Sequence, residues 1–140
     1  MAYDADNVFA KILRGELPAV KVFEDDATLA LMDVMPQAPG HTLVIAKIAA
    51  ADLFELPDDA AAAVLATVRR LAPAVRDAMA ADGIRIFQLN GEAAGQTVFH
   101  YHTHILPCYR GQAPAQHSSQ MEDTGVLESH AAKIRAALEN

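Results

Sequence analysis

The sequence predicts a single α+β domain that spans residues 1–140, with an antiparallel sheet of about five strands. Three observations support this fold class. At 140 residues with 52% hydrophobic content, the chain can bury one core without disulfides. Short runs of strand-forming residues separated by turn residues fill much of the chain. An alanine-rich stretch forms a long helix, and a short N-terminal helix and a C-terminal helix complete the pattern. Because strands and helices are segregated, we expect the helices to pack on one side of the sheet.

The N-terminal elements are a short helix, a hairpin and a third strand. Asp6 or Asn7 can cap a helix that ends near Arg14, where Gly15 supplies a left-handed stop. An acidic turn joins two strands into a hairpin, and a stiff connection with two prolines leads into the third strand. The predicted strands are 20–23, 29–34 and 41–46.

The long helix is predicted to start at Pro57, after an irregular stretch over 49–56, and to end near Asp82. Pro73 lies inside this pattern and should kink or divide the helix. A fourth strand follows over 84–89, and a glycine-containing loop leads to the last strand. Residues 111–123 lack periodicity and are predicted to be irregular, whereas residues 124–140 have the pattern of a C-terminal helix.

Composition limits the classes of partner. The formal net charge is −7, and a protein that binds a nucleic-acid backbone needs a positive surface, so we expect no nucleic-acid polymer as a partner. The longest apolar run, 60–68, is far shorter than the ~18 residues of a membrane span. Cys108 is the only cysteine, and the N-terminal residues lack the pattern of a signal peptide. We therefore expect a cytoplasmic protein without membrane contact.

The segment Thr97–Pro107 carries the chemistry, because it places three histidines at alternate positions of a predicted strand. Alternate side chains point to the same face, so His100, His102 and His104 should form a row with neighbours roughly 6.6 Å apart. Three imidazoles at this spacing can surround a small anionic group or a metal ion. Imidazole can also attack, donate or accept a proton near neutral pH.

Two interpretations of the row remain open at this point. Three imidazoles can form a zinc site, but no carboxylate lies between Glu92 and Glu122 to complete it or to support its ligands. A histidine nucleophile needs a neutral ring, a partner for its second nitrogen and donors for the phosphoryl oxygens. One neighbouring histidine can orient the ring of His102 while the other donates to the substrate, and the adjacent segment 95–97 can supply N–H groups and a hydroxyl. A purely structural role for all three is the least favoured alternative.

The histidine segment resembles the signature of the histidine-triad family. That signature is His-x-His-x-His followed by two apolar residues, and residues 100–106 match it in full. Further segments resemble the purine-nucleotide branch of the family in order and spacing, and the resemblance extends from Phe9 to Pro107. These segments are 9–18, 24–26, Asp33 with 36–45, and 95–98.

The resemblance implies a hydrolase or transferase that cleaves at the α-phosphate of purine nucleoside 5′-phosphoramidates, such as AMP-amine conjugates. It implies that His102 is the nucleophile of a covalent nucleotidyl-histidine, that His104 contacts the phosphate and the leaving group, and that His100 holds the ring of His102. His41 would join the same hydrogen-bond relay, and Asp33 would bind the ribose. The other expected substrate-binding residues are Phe9, Ile12, Leu17, Leu31 and Val34 at the base, and Asn90, Gly95, Gln96 and Thr97 near the phosphate.

The resemblance also implies a homodimer whose sheets join edge to edge, with no metal and no organic cofactor. Many bacterial relatives bind a structural zinc through Cys-x-x-Cys before the first helix, but Asn7 and Ala10 stand at those positions, so we predict no such zinc. Besides a zinc hydrolase, two alternative functions remain. One is a dinucleoside polyphosphate hydrolase of the same family, and the other is a purine nucleotide-binding or scaffold protein with incidental activity.

Overall fold

The computed structural model describes residues 2–113 and 120–139, which form one five-stranded antiparallel sheet and three α-helices. This architecture confirms the predicted α+β class. A short 3-10 turn lies at Glu92–Ala94. The helices are α1 (Val8–Leu13), α2 (Asp58–Ala78) and α3 (Thr124–Leu138), and the strands are β1 (Lys21–Glu24), β2 (Thr28–Met32), β3 (Thr42–Ala46), β4 (Gly83–Phe87) and β5 (His102–Cys108).

The strand order of the sheet is β1-β2-β3-β5-β4. The histidine strand β5 is therefore an interior strand, paired antiparallel with β3 on one side and with β4 on the other. Phe87 at the end of β4 is the register partner of His104. This pairing places the end of β4 directly beside the histidines, and His41 immediately precedes β3.

Helices cover both faces of the sheet, so the expectation that they pack on one side is wrong. On one face, α2 and α3 pack on a core that includes Ala30, Val44 and Ile105. On the opposite face, Phe9 and Ile12 of α1 pack on a second core of Leu29, Leu31, Leu43 and Ile45. The physical reason is that every residue of β2 and β3 is buried, and an apolar strand without polar alternation needs cover on both sides.

The histidine strand begins at His102 and not at Thr97. In the preceding segment, the carbonyl of Tyr101 accepts from the N–H of Ala46 at the end of β3 at 3.3 Å, and the N–H of Tyr101 donates to the carbonyl of Ala50 at 2.8 Å. His100 therefore lies ahead of the strand, and only His102 and His104 have regular strand spacing. The three histidines do not form the uniform row that alternation predicts.

The long helix α2 runs through Pro73 without a break and ends at Ala78. It stops earlier than predicted because Ala80 has a positive φ of 51°, a left-handed conformation that terminates helices. At the N-terminus, Asn7 caps α1, and its Oδ1 accepts from the N–H of Ala10 at 2.9 Å.

The C-terminal segment agrees with its prediction where it is described. Residues 111–113 and 120–123 contain no helix or strand, while residues 114–119 lie outside the described residues. Helix α3 follows, and Asp123 caps it through the N–H of Gly125; residue 140 of the predicted helix is also outside the described part. Within 2–113 and 120–139, no helix has both the length and the apolar character needed to cross a membrane.

Candidate active site

The ring of His102 is held by a backbone carbonyl. Its Nδ1 lies 2.7 Å from the carbonyl oxygen of His100. Because a carbonyl oxygen can only accept, we assign the proton to Nδ1, and a neutral ring then has its lone pair on Nε2. Burial lowers the pKa of His102 below the ordinary histidine value, against the smaller raising effects of this hydrogen bond and of the Asp33 charge. His102 therefore offers an unprotonated nitrogen near neutral pH.

His100 is a buried support for this arrangement, with 1% of its surface exposed. Its Nε2 lies 2.5 Å from the carbonyl oxygen of Ala46, so Nε2 carries the proton. Its Nδ1 lies 2.7 Å from the hydroxyl of Tyr3 and accepts from it. Burial lowers the pKa of His100, although the Ala46 hydrogen bond partly opposes this effect. The ring is thus neutral and fixed at both nitrogens.

His41 and His104 form a second pair of rings. The N–H of Gln37 donates to Nδ1 of His41 at 3.1 Å, so the proton of a neutral His41 ring lies on Nε2. This Nε2 is 2.9 Å from Nδ1 of His104, which therefore accepts, and the proton of His104 lies on its Nε2. Phe87 stacks on the His104 ring, with centroids 4.2 Å apart and an angle of 10° between the planes.

The two pairs meet where β5 begins. The ring centroids of His102 and His104 are 5.0 Å apart. One ring presents a lone pair and its neighbour presents a proton. This arrangement can attack an electrophilic centre and stabilise an anionic oxygen on the same centre.

Asp33, His41 and His104 bring ligand-type atoms within 4.8 Å of one another, which raises the question of a metal. Oδ2 of Asp33 is 3.5 Å from Nε2 of His41, and Oδ1 accepts from the N–H of Met35 at 2.8 Å. A metal would need the lone pair of His41 Nε2, but Nδ1 of the same ring already accepts from Gln37. Both lone pairs are available only in an imidazolate, so the donor set fits a hydrogen-bond relay better than a metal site.

The apolar residues expected at the base differ in exposure. Phe9, Ile12 and Leu31 are buried in the second core at 7%, 8% and 3% exposure, whereas Leu17 and Val34 are 40% and 43% exposed. The ring of Phe9 also contacts the His102 ring edge to face, with centroids 4.9 Å apart. Phe9 therefore joins the apolar core to the histidines.

The loop before the histidine segment is organised by Gln96, which is 3% exposed. Its side chain accepts from the N–H of Gly91 at 2.7 Å and donates to the carbonyls of Ala51 and Val98 at 2.7 and 3.1 Å. Gly95 has a left-handed φ of 102° at the end of the 3-10 turn. Thr97 is exposed and lines a cavity of about 560 Å³. The side chain of Gln96 thus shapes the loop, and Thr97 is one of several exposed residues in it.

Asn90 lies at the exit of β4, and its side chain is bonded within this loop region. Its Oδ1 accepts from the N–H of Leu53 at 2.8 Å and from Nε2 of Gln88 at 2.8 Å. Its Nδ2 donates to Oε1 of Gln88 at 2.9 Å. These bonds connect the loop at 51–56 to the end of β4.

Three residues of the site were not identified from the sequence: Tyr3, Gln37 and Phe87. Phe87 could have been found only from the register of β4 on β5, which the sequence pattern does not define. Gln37 acts through its backbone N–H, so its side chain carries no signal. For Tyr3, the one signal in the sequence is an aromatic residue within a polar N-terminal segment.

Known proteins resemble this chain in sequence. The HIT domain family model matches residues 14–111. "Protein hit" of Bacillus subtilis is 42% identical over 102 residues, which are 73% of this chain and 70% of that protein. "Adenylylsulfatase HINT3" of Arabidopsis thaliana is 41% identical over 102 residues, 73% of this chain and 52% of that protein.

A solved structure matches along almost the whole chain. The Hit-like protein of Bartonella henselae, solved with an unknown ligand, superposes with a TM-score of 0.92 at 46% identity and covers 97% of this chain and 99% of that one. The match includes the sheet that carries the histidines. The chain therefore belongs to the HIT domain family of nucleotide hydrolases and nucleotide-binding proteins.

Proposed function

We propose that this protein cleaves purine nucleoside 5′-phosphoramidates at the α-phosphate through a covalent nucleotidyl-histidine on His102. The observation that carries the proposal is the hydrogen bond from Nδ1 of His102 to the carbonyl of His100 at 2.7 Å. It places the lone pair on Nε2, and the lowered pKa of the buried ring keeps that nitrogen unprotonated. A fixed, neutral imidazole is the form in which histidine attacks phosphorus.

The first step forms a bond from Nε2 of His102 to phosphorus and breaks the bond from phosphorus to nitrogen. A substrate that reacts with its amine nitrogen protonated releases a neutral amine, which takes the electron pair of the broken bond. The Nε2–H of His104 donates to a phosphoryl oxygen and stabilises its charge in the transition state. Water then attacks phosphorus, the bond to His102 breaks, and the released amine takes up the proton from water.

The neighbouring residues suit a nucleoside on the α1 face of the sheet. Phe9 contacts the nucleophile, and the exposed side chains of Leu17 and Val34 offer apolar surface for a purine. Asp33 lies beside His41, and we propose that it accepts hydrogen bonds from the ribose hydroxyls. Thr97 and the backbone N–H groups after Gly95 would contact the phosphate.

The test is to incubate the protein with a slow adenosine phosphoramidate and to measure the intact mass and the modified residue. We expect one added nucleotidyl group on His102 and none in His102→Ala. His130→Ala on helix α3 is the matched histidine control and should label normally. Full turnover by His102→Ala would show that His102 is not the nucleophile.

Each alternative function predicts a different experimental outcome. A dinucleoside polyphosphate hydrolase would turn over diadenosine polyphosphate faster than the phosphoramidate at equal concentration. A binding protein would hold purine mononucleotide while His102 stayed unlabelled. A zinc hydrolase would lose stoichiometric zinc together with activity on chelation. The Arabidopsis relative named as an adenylylsulfatase favours chemistry at an adenylyl phosphorus over binding alone.

We further propose a homodimer formed along β4. This strand lies at one edge of the sheet. Its Ile86 is 44% exposed, and Leu65 of α2 is 59% exposed. An edge strand with an exposed apolar side chain is a surface for pairing with another chain. Sedimentation should show a dimer for the natural protein and a monomer for Ile86→Lys. A monomeric natural protein at micromolar concentration would contradict the proposal.

A further inference from the structure

A chain of hydrogen bonds connects the N-cap of α1 to the proposed nucleophile. Oδ1 of Asn7 accepts from the N–H of Ala10, and this cap fixes the orientation of the Asn7 amide. Its Nδ2 therefore points away from the helix, and it donates to the hydroxyl oxygen of Tyr3 at 2.9 Å. It also donates to the carbonyl of Asp4 at 2.7 Å.

The direction of the next bond follows from this geometry. Because the Tyr3 oxygen accepts from Asn7, its own hydrogen is available for Nδ1 of His100 at 2.7 Å. That nitrogen must accept, since Nε2 of the same ring donates to the carbonyl of Ala46. The Ala46 carbonyl and the Tyr3 hydroxyl thus act together to favour the Nε2–H tautomer of His100.

The tautomer of His100 matters because the backbone of this residue holds His102. The carbonyl of His100 accepts from Nδ1 of His102, and the His100 ring is anchored on two sides by Tyr3 and Ala46. Tyr3 also contacts the His100 ring edge to face, with centroids 5.7 Å apart. If one anchor is lost, a buried nitrogen lacks its donor, and the ring and its carbonyl can move.

We propose that Tyr3 is a positioning residue that, together with the Ala46 carbonyl, fixes the tautomer of His100 and, through the His100 carbonyl, the nucleophilic nitrogen of His102. This inference rests on the proposed function for its catalytic consequence. The tautomer itself can be measured without substrate. Tyr3 does not touch the reacting atoms in this scheme, and it acts only through His100.

The decisive variant is Tyr3→Phe, which removes only the hydroxyl. We expect kcat to fall about tenfold, which corresponds to about 1.4 kcal/mol, while KM stays within about twofold. Tyr109→Phe is the matched control, because the hydroxyl of Tyr109 donates to the carbonyl of Met79 at 2.8 Å at the end of α2. The control should keep both kcat and KM.

The second readout is the tautomer of His100, measured by long-range proton–nitrogen NMR correlations of the ring. The natural protein and Tyr109→Phe should show a single Nε2–H form, whereas Tyr3→Phe should show a mixture. Asn7→Asp keeps the cap but removes the donor to Tyr3, and it should change the tautomer in the same direction to a smaller extent. This variant tests the network without altering Tyr3.

The outcomes separate the two proposals. If Tyr3→Phe keeps kcat and a single Nε2–H tautomer, or if Tyr109→Phe loses as much kcat, Tyr3 has no positioning role. If the natural protein forms no nucleotidyl adduct on His102, the proposed function is wrong. In that case the His100 tautomer in Tyr3→Phe alone decides whether Tyr3 fixes this ring, and an unchanged tautomer overturns the inference.

Discussion

Two substitutions of His41 separate the two bonds that its ring makes. In His41→Asn, the side-chain oxygen can accept from the Gln37 N–H in place of Nδ1, but the shorter side chain no longer donates to Nδ1 of His104. In His41→Gln, the amide nitrogen lies near the former Nε2 and can still donate to His104. We expect His41→Asn to lower kcat and His41→Gln to retain most of it, because the bond from His41 defines which nitrogen of His104 carries the proton.

The size of the loss follows from the bond that is removed. The His41 to His104 bond is 2.9 Å long, and His41 has 0% of its surface exposed. A hydrogen bond of this kind contributes about 0.5–1.5 kcal/mol net. At about 1.36 kcal/mol per factor of ten, kcat for His41→Asn should fall roughly 2- to 13-fold.

The assay compares substrates whose α-phosphate carries oxygen or sulfur at one non-bridging position. Sulfur is the weaker hydrogen-bond acceptor. The natural protein should therefore be slower on the diastereomer whose sulfur faces the His104 Nε2–H than on the oxygen substrate. In His41→Asn this difference in rate should shrink, because the His104 proton is no longer fixed, whereas in His41→Gln it should persist. If His41→Asn lowers the rates on the oxygen and sulfur substrates by the same factor, the effect of sulfur is unchanged and the relay is refuted.

Two further predictions concern protonation and packing. Burial lowers the pKa of His102, so its ring should titrate by NMR with a midpoint below the ordinary ~6.5. As the pH falls, His102 takes up a proton in the unfolded chain before it does so in the folded protein. The contribution of this residue to the free energy of unfolding should therefore be smaller at pH 5.5 than at pH 7.5. A midpoint at or above ~6.5 would contradict this. Gly40 and Gly15 both have a positive φ, of 87° and 78° respectively. A Cβ added at Gly40 would lie 2.4 Å from Cγ of Met79, whereas a Cβ added at Gly15 would have no neighbour within 4 Å. Urea unfolding should therefore show a loss of about 1–2 kcal/mol for Gly15→Ala and about 1–3 kcal/mol more for Gly40→Ala, and equal losses would show that the Met79 contact is loose.

The sequence predicts the elements better than their contacts. Turn residues, caps and apolar periodicity place the helices and strands within a few residues, because these signals are local. The wholly buried strands β2 and β3 require cover on both faces, whereas segregation of helices and strands along the chain predicts cover on one face only. Just before β5, Tyr101 bonds to Ala46 and Ala50, which are far from it in sequence, so this boundary of the strand has no local signal.

The candidate site shows the same division. Alternation of the histidines indicates their chemistry, and the family resemblance adds His41 and Asp33. Their unequal roles depend on which atoms act as their partners, such as the carbonyls of Ala46 and His100. Backbone acceptors of this kind are created by the fold, so no residue pattern reveals them.

The stacking of Phe87 on His104 connects the site to the edge of the sheet. An edge strand has hydrogen bonds on one side only and opens locally more readily than an interior strand. In the proposed dimer β4 becomes an interior strand, so its amides should exchange more slowly with solvent. Formation of the dimer would then damp the motion of Phe87, and with it the motion of the His104 ring. Association of two copies would thus reduce the mobility of the proton-donating His104 ring in each site, although β4 contributes no reacting atom.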